Sequence, residues 1–329
     1  METFVQQLVN GLTLGAVYAV VALGYTMVYG IVQLINFAHG EVVMIGAMVA
    51  LSVIAALAGA GWPPLMLAAV ATLVAIPACM AVGYAMERVA YRPLRSAPRL
   101  APLITAIGIS IILQTVARMI WTPDPLAFPS LVKAEPYSIL AGATITNVQI
   151  GIIVLSVAMM AGLAWLVYRT RLGTAMRATA QNPAVAGLMG VDIDRVIAAT
   201  FLLGAALAAV AGVMIGIYYG RVHYTMGELL GLKAFCAAVL GGIGNIPGAM
   251  VGGLLLGLVE ALGTGYIGDL TDLCRLQGLF PGLAERCKDG GNVVLFGSNY
   301  HDVFAFIVLV LVLVFRPSGL LGERVGDRA

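Results

Sequence analysis

Six polar side chains stand where an apolar chain has least use for them. Asn36, His39 and Glu41 fall, with Gln33, inside GIVQLINFAHGE between two strongly apolar runs; Glu228 and Lys233 open a later apolar stretch, and Asn245 interrupts it. Ionisable and polar groups at membrane depth are costly and face a cavity or one another. Their chemistry would then be that of lining or gating a path for a polar solute, although a structural role is open for each. For the first cluster the alternative is a short interfacial turn with Asn36 capping a helix. Chemistry of other kinds lacks its parts: there is no HExxH, no Cys-x-x-Cys pair, no Gly-x-Ser-x-Gly elbow and no GxxxxGK[ST] loop. Lys133, Lys233 and Lys288 are the only lysines, and none follows a glycine-rich turn. Catalysis, ATP binding by such a loop and a metal site are therefore not expected of this chain.

The elements that must hold these groups are apolar helices. Of 329 residues 61% are hydrophobic and 10% charged, with a net charge of +2 and a mean hydropathy of +0.99, whereas soluble domains carry about 25% charge. A spanning helix needs about 20 apolar residues, and candidates fall near 6–31, 41–59, 65–86, 101–121, 149–168, 196–219, 231–263 and 301–315. The expected fold is an all-α polytopic membrane protein with about eight hydrophobic segments, some broken or re-entrant, forming a single transmembrane domain over residues 1–329. No Lys or Arg precedes Arg88; then Arg88, Arg92, Arg95 and Arg99 crowd one loop and Arg169, Arg171, Arg177 and Arg195 another. Positive charge marks both loops as cytoplasmic. The opening METFVQQ lacks a positive n-region and reads as part of a retained first helix. If 33–41 is a mid-membrane break the N-terminus lies inside, and if it is a loop, outside.

The stretch Gly231 to Gly263 would reach about 50 Å as one helix, too long for one upright crossing and too short for two. GGIGNIP at its middle, with Gly241, Gly242 and Gly244 before Pro247 and Gly248 after it, disfavours a helix interior. A re-entrant hairpin or two half-helices is expected, and irregular backbone at membrane depth needs protein or a water-filled cavity around it. A hairpin places the insert 264–300 outside and the tail with Arg316, Arg324 and Arg328 inside. In that insert Cys274 and Cys287 suit a local disulfide if the face is oxidising, the alternative being two free thiols; Cys79 and Cys236 read as packing residues. Gly212, Gly216 and Gly220, and Gly244, Gly248 and Gly252, are four-residue ladders of the kind that brings helices close. The halves also echo each other, Gly15-Ala16 to Tyr29-Gly30 against Gly204-Ala205 to Tyr219-Gly220, a pattern that points to a transporter's binding region.

The second basic loop, 169–195, contains a complete small helix: Asn182 as N-cap, Pro183 at the first position, Ala184 to Met189 as the body and Gly190 to end it. Such a helix suits docking into a groove on a partner protein, or lying on the bilayer surface.

Several long strings carry a resemblance: TLGAVYAVVALGYTMVYGIVQLINFAHGEVVMIGA (Thr13 to Ala47), ERVAYRPLR (Glu87 to Arg95), LITAIGISIILQ (Leu103 to Gln114), KAFCAAVLGGIGNIPGAMVGGLLLGLVEAL (Lys233 to Leu262) and FRPSGLLG (Phe315 to Gly322). They resemble the LivH-type permeases of branched-chain amino-acid importers, along nearly the whole chain. The resemblance implies a multi-pass protein of the bacterial inner membrane that passes leucine, isoleucine and valine received from a periplasmic binding protein. A second homologous permease and two cytoplasmic ATPases would be its partners, with no cofactor and no nucleic acid. It also makes 169–195 the coupling loop, with Arg177, Gln181, Asn182, Pro183, Ala186, Gly187, Gly190, Asp192, Asp194 and Arg195 facing the motor. Urea, short amides or other amino acids are alternative cargoes, and an ion-coupled secondary transporter is a more distant alternative. The insert 264–300, with its cysteine pair, departs from the family pattern.

Overall fold

The computed structural model describes residues 2–322 except 96, 99, 140, 141, 271–273, 275–300 and 317. Cys287, Arg99, Arg324, Arg328 and most of the insert fall outside the described residues. Eleven helices are described: α1 (Glu2–Val32), α2 (His39–Leu57), α3 (Pro64–Ala85), α4 (Leu100–Ile120), α5 (Asn147–Arg169), α6 (Arg171–Gln181), α7 (Pro183–Leu188), α8 (Ile193–Tyr219), α9 (Met226–Gly241), α10 (Ile246–Leu270) and α11 (His301–Phe315). A π-helical turn, Met86–Tyr91, continues α3. Seven segments among these are long and apolar enough to cross a membrane, while α9 and α11 are shorter. Two small antiparallel ladders complete the fold: β1 (Leu126–Ala127) with β4 (Arg221–Val222), and β2 (Pro136–Ser138) with β3 (Thr144–Thr146).

The two ends of the bundle are distinguished by charge. One carries the π turn, the loop around α6 and α7 and the residues after α11, and so most of the described arginines; it is the cytoplasmic end by the positive-inside tendency. At the other end Gln6 of α1 accepts a hydrogen bond from the Thr144 amide at 2.9 Å, and the Gly220 carbonyl accepts one from Phe128 at 2.9 Å. The start of α1 and the end of α8 thus share the outer face with the α4–α5 connection. The N-terminus lies outside, α1 runs inward and α8 outward.

That antiparallel relation extends past the end of each helix. α1 ends in a left-handed residue, Gln33 (φ 53°), and α8 in another, Gly220 (φ 65°). After each comes a short non-helical link, then a helix with Gly-Glu in its first turn: Gly40-Glu41 in α2, directed outward, and Gly227-Glu228 in α9, directed inward. The two turns meet, for a Cβ on Gly227 would stand 2.6 Å from the Gly40 carbonyl oxygen. Gly204 lies at the same level against His39 and Gly24, and it is about 16 Å along α8 from its cytoplasmic start at 1.5 Å per residue. The interruption at 33–38 is therefore a buried link rising to a helix that begins near mid-depth; contrary to the expectation that such a break goes with an inner N-terminus, the N-terminus is outside, because α2 turns back outward after the link instead of continuing the crossing of α1. The Asn36 side chain does not cap it: Ala38 is the N-cap residue, and Asn36 Oδ1 accepts from Tyr91 Oη at 2.8 Å.

The expected break at 241–248 is a tight hairpin, but its arms are unequal. α9 has 16 residues, whereas α10 has 25 and contains a full span, because it continues past Gly263 to Leu270. Gly242 (φ 106°) and Gly244 (φ 94°) make the turn, and Gly241 packs on Gly248, with Gly252 on Ala237. The tail closes over it, Leu320 and Leu321 amides donating to the Leu240 and Gly241 carbonyls at 2.8 and 3.0 Å. The ladder of Gly212, Gly216 and Gly220 is not one seam: Gly212 meets α2, Gly216 meets Phe128, and Gly220 ends α8. The principal small-residue seam joins Gly11 and Gly15 of α1 to Leu254, Gly257 and Leu258 of α10, where absent side chains let backbones touch.

Candidate translocation path and coupling surface

α9 runs between two cavities. At the outer side a cavity of about 320 Å³ is walled by Ile215, Tyr219, Met226, Leu229 and Leu230, with Arg221, His223, Lys233 and Asp302 as its polar lining. Burial and the neighbouring Arg221 cation both lower the His223 pKa below its usual value, burial more. At the cytoplasmic side a larger cavity of about 910 Å³ is lined by Tyr29, Gly30, Gln33, Tyr168, Arg177, Val239, Ile243, Gly244, Asn245 and Ser318, among others. Between them the α9 face bearing Glu228, Leu229 and Leu232 is exposed. A carboxylate exposed at that depth, on a helix too short to span, is compatible with a water-filled or protein-lined path and not with lipid.

Five of the six polar residues singled out by sequence fall into three groups, and Glu228 stands apart on the exposed face of α9. Lys233 is buried and forms ion pairs with Glu260 of α10 at 2.8 Å and Asp302 of α11 at 2.5 Å, with Tyr18 of α1 3.4 Å away. One Lys thus ties four helices at the floor of the outer cavity. Asn36, His39 and Glu41 are buried in the packed junction of the two halves. The His39 ring lies edge-on to Tyr25, with centroids 4.9 Å apart. Glu41 Oε1 accepts from Ser110 Oγ at 3.0 Å and Gln114 Nε2 at 2.8 Å, holding the otherwise lightly packed α4. Asn245 lies at the inner cavity and donates from Nδ2 to the Leu321 carbonyl at 2.7 Å, fastening the tail to the hairpin.

On the cytoplasmic face the order of caps is local and legible. Thr170, Asn182 and Asp192 each accept a hydrogen bond from the amide three residues on, starting α6, α7 and α8. Pro183 takes the first position of α7, which ends at Leu188, one residue short of the expected body, and Gly190 (φ 85°) turns the chain. Ala186 is buried and Gly187 faces Ile193, so these hold α7 to the bundle. What α7 presents outward is apolar: Leu188 is 87% exposed and Met189 80%, with Val185 beside them. Sequence reasoning missed these three, although they are the large apolar side chains that lie between the N-cap Asn182 and the terminating Gly190. Arg177 packs over the Tyr168 ring, Gln181 ends α6, and Arg195 pairs with Asp192 at 2.9 Å. Asp194 is taken by Arg92 and Arg95 of the first basic loop, and Arg95 also binds the buried Glu87. The two cytoplasmic loops are thereby one unit. Cys274 is disulfide-bonded, whereas Cys79 and Cys236 are buried free thiols.

A family model for the permease component of branched-chain amino acid transport systems matches residues 7–313. The chain is 46% identical over 326 residues to the high-affinity branched-chain amino acid transport system permease protein BraD of Pseudomonas aeruginosa, covering 97% of this chain and 96% of that one. It is 43% identical over 327 residues to the corresponding LivH of Escherichia coli K12, with the same coverage. A more distant likeness, 28% identity over 49% of this chain and 41% of the relative, is to the autoinducer 2 import system permease protein LsrC of Escherichia coli. No solved structure matches.

Proposed function

The chain belongs to the branched-chain amino acid transport system permease family, and from that premise we propose how its parts divide the labour of import. It is a multi-pass permease subunit of an ABC-type transport system for branched-chain amino acids, and not itself an enzyme. In the proposed assembly a second homologous permease covers the exposed face of α9. A periplasmic binding protein delivers leucine, isoleucine or valine to the outer cavity, and two cytoplasmic ATPases dock on loop 169–195.

The observation that carries this reading is α7, a capped helix pinned by Ala186 whose outward surface is Val185, Leu188 and Met189. Exposed apolar side chains grouped on a fixed helix fit a hydrophobic groove on a partner. Behind them the Asp194 clamp joins α8 to the end of α3, so a push on α7 reaches both cytoplasmic loops and, through α8, the junction at Gly204 and His39. Closure of the motors would thus open one α9 cavity as the other shuts. Glu228, Lys233 and Asn245 belong to the path on this reading, while Asn36, His39 and Glu41 hold the pivot.

The test is Leu188→Asp in the complete transporter. Loss of ATPase subunits on affinity purification, with the melting temperature of the permease in detergent unchanged, is the expected result. Retention of the ATPases and undiminished leucine uptake would overturn the docking assignment, and loss of bilayer association without loss of ATPases would favour the membrane-surface alternative.

A further inference from the structure

The cytoplasmic ends of α3 and α8 enclose a cavity of about 270 Å³ that lies off the proposed path. Its charged lining is three arginines, Arg88, Arg92 and Arg195, and three carboxylates, Glu87, Asp192 and Asp194. Each carboxylate is already taken: Glu87 by Arg95, Asp192 by Arg195, and Asp194 by Arg92 and Arg95. Arg88 is exposed at the cavity and has no carboxylate partner among the described residues. With Arg95 included, the cations outnumber the anions by one, so the set has room for a single negative charge and none for a further positive one. The same face of α8 continues into a second cavity, about 240 Å³, between α3 and α5. Its lining is apolar throughout, with Ile76 of α3, Met159, Gly162 and Leu166 of α5, and Leu203 and Ala206 of α8 among the wall. A Cβ on Gly162 would meet nothing within 4 Å, which leaves a notch there. Arg195 and Ala206 stand about three turns apart, hence on one line of the helix, and about 16 Å along it. That is the depth of one leaflet in a hydrocarbon core of ~30 Å.

We infer that an anionic phospholipid of the cytoplasmic leaflet, with one net negative charge as in phosphatidylglycerol, binds along this face of α8. Its phosphodiester sits between Arg88 and Arg195, and one acyl chain fills the groove at Gly162 and Ala206. Basic pockets between spanning helices on the cytoplasmic side suit such headgroups. Arg195, 88% exposed, keeps Asp192 and has donors to spare for the phosphate. A zwitterionic lipid brings an ammonium for which no carboxylate is vacant. The bound lipid joins the end of α3 to the start of α8 beside the Asp194 clamp and so braces the two basic loops against each other. That brace, though not the site, rests on the transport reading above.

The test is photo-crosslinking of the complete permease–ATPase complex in phosphatidylcholine nanodiscs that contain a trace of phosphatidylglycerol with a diazirine on one acyl chain. Cross-links are expected on the α5 and α8 residues of the groove, and the matching phosphatidylethanolamine probe should label them at least tenfold less. Unlabelled phosphatidylglycerol should displace the probe, whereas inorganic phosphate should not. Arg88→Gln and Gly162→Leu should each lower the labelling at least threefold. In vesicles with the binding protein, leucine uptake per ATP hydrolysed should rise at least twofold when phosphatidylglycerol is added to phosphatidylcholine, and not in Arg88→Gln. A groove left unlabelled, as when a second permease covers it, equal labelling by the two probes, or labelling indifferent to both variants would refute the site. Displacement by inorganic phosphate as strong as that by phosphatidylglycerol would refute the lipid as its ligand. A labelled groove with uptake per ATP unchanged by phosphatidylglycerol would overturn the brace. A complex that imports no branched-chain amino acid in any lipid would remove the transport reading and leave the labelling result standing. Gly162→Leu fills open space and favours the helix, so it keeps the site testable even where Arg88→Gln fails to assemble.

Discussion

Gly40→Ala tests the junction on which both halves turn. A Cβ at Gly40 would stand 2.2 Å from the Gly227 carbonyl oxygen and 2.7 Å from the Gly231 Cα, whereas ordinary contact starts at 3.4 Å. The obstructing atoms are backbone, so no rotamer relieves the overlap and α2 and α9 must part by about 1.2 Å. A gap of that order forfeits about half of the dispersion attraction of each pair it separates. Overpacking of this kind costs about 1–3 kcal/mol. Gly227→Ala strains the same crossing from the other side, against the Gly40 carbonyl and Glu41 Oε2, so the double variant should lose less than the two single losses combined. Gly59→Ala, where a Cβ meets nothing within 4 Å, is the control and should lose nothing. Thermal unfolding of the purified permease in detergent, read by tryptophan fluorescence, measures all four variants. A Gly40→Ala protein that melts with the unaltered one, or a fully additive double variant, would refute the close crossing of α2 and α9.

The same network of contacts sets three further outcomes. Lys233→Met leaves the buried Glu260 carboxylate without its cation and should destabilise the permease by about 3–5 kcal/mol, much of it recovered in Lys233→Met with Glu260→Gln, as read by unfolding in detergent. Asn182→Ala removes the N-cap of α7 and should cost about 1 kcal/mol locally, seen as faster amide exchange at Val185 with exchange in α10 unchanged. Asp194→Ala unties α8 from Arg92 and Arg95; ATP hydrolysis in the complex should continue while leucine uptake per ATP falls, and unchanged coupling would remove the clamp from the transmission path.

How much of the molecule was legible in the sequence depends on the distance between partners. Composition gave the class of fold and the placement of arginines an expected side for the basic loops, since hydropathy and side preference are properties of short segments, whereas the side of the N-terminus stayed open. α7 was readable for the same reason: Asn182, Pro183 and Gly190 act within one turn or two. The length of α10 was underestimated because Gly263 looks like an end, yet glycine inside an apolar helix packed on a neighbour is tolerated, and Gly263 lies against Phe304. The partners of Lys233 come from α1, α10 and α11, and no local pattern joins them. A lone Glu260 inside an apolar run was the available signal. The inverted relation of the halves was visible only as a loose glycine echo; the sharper match, Gly40-Glu41 with Gly227-Glu228, emerges once both are seen to begin helices at one level.

The central claim, a permease subunit of an ATP-driven branched-chain amino-acid importer, is tested most directly by purifying the tagged chain with its associated subunits and reconstituting them into vesicles with the binding protein. The account predicts that ATPase subunits co-purify and that L-leucine uptake requires both ATP and the binding protein. Uptake by the chain alone under an ion gradient, with no ATPase in the preparation, would contradict it.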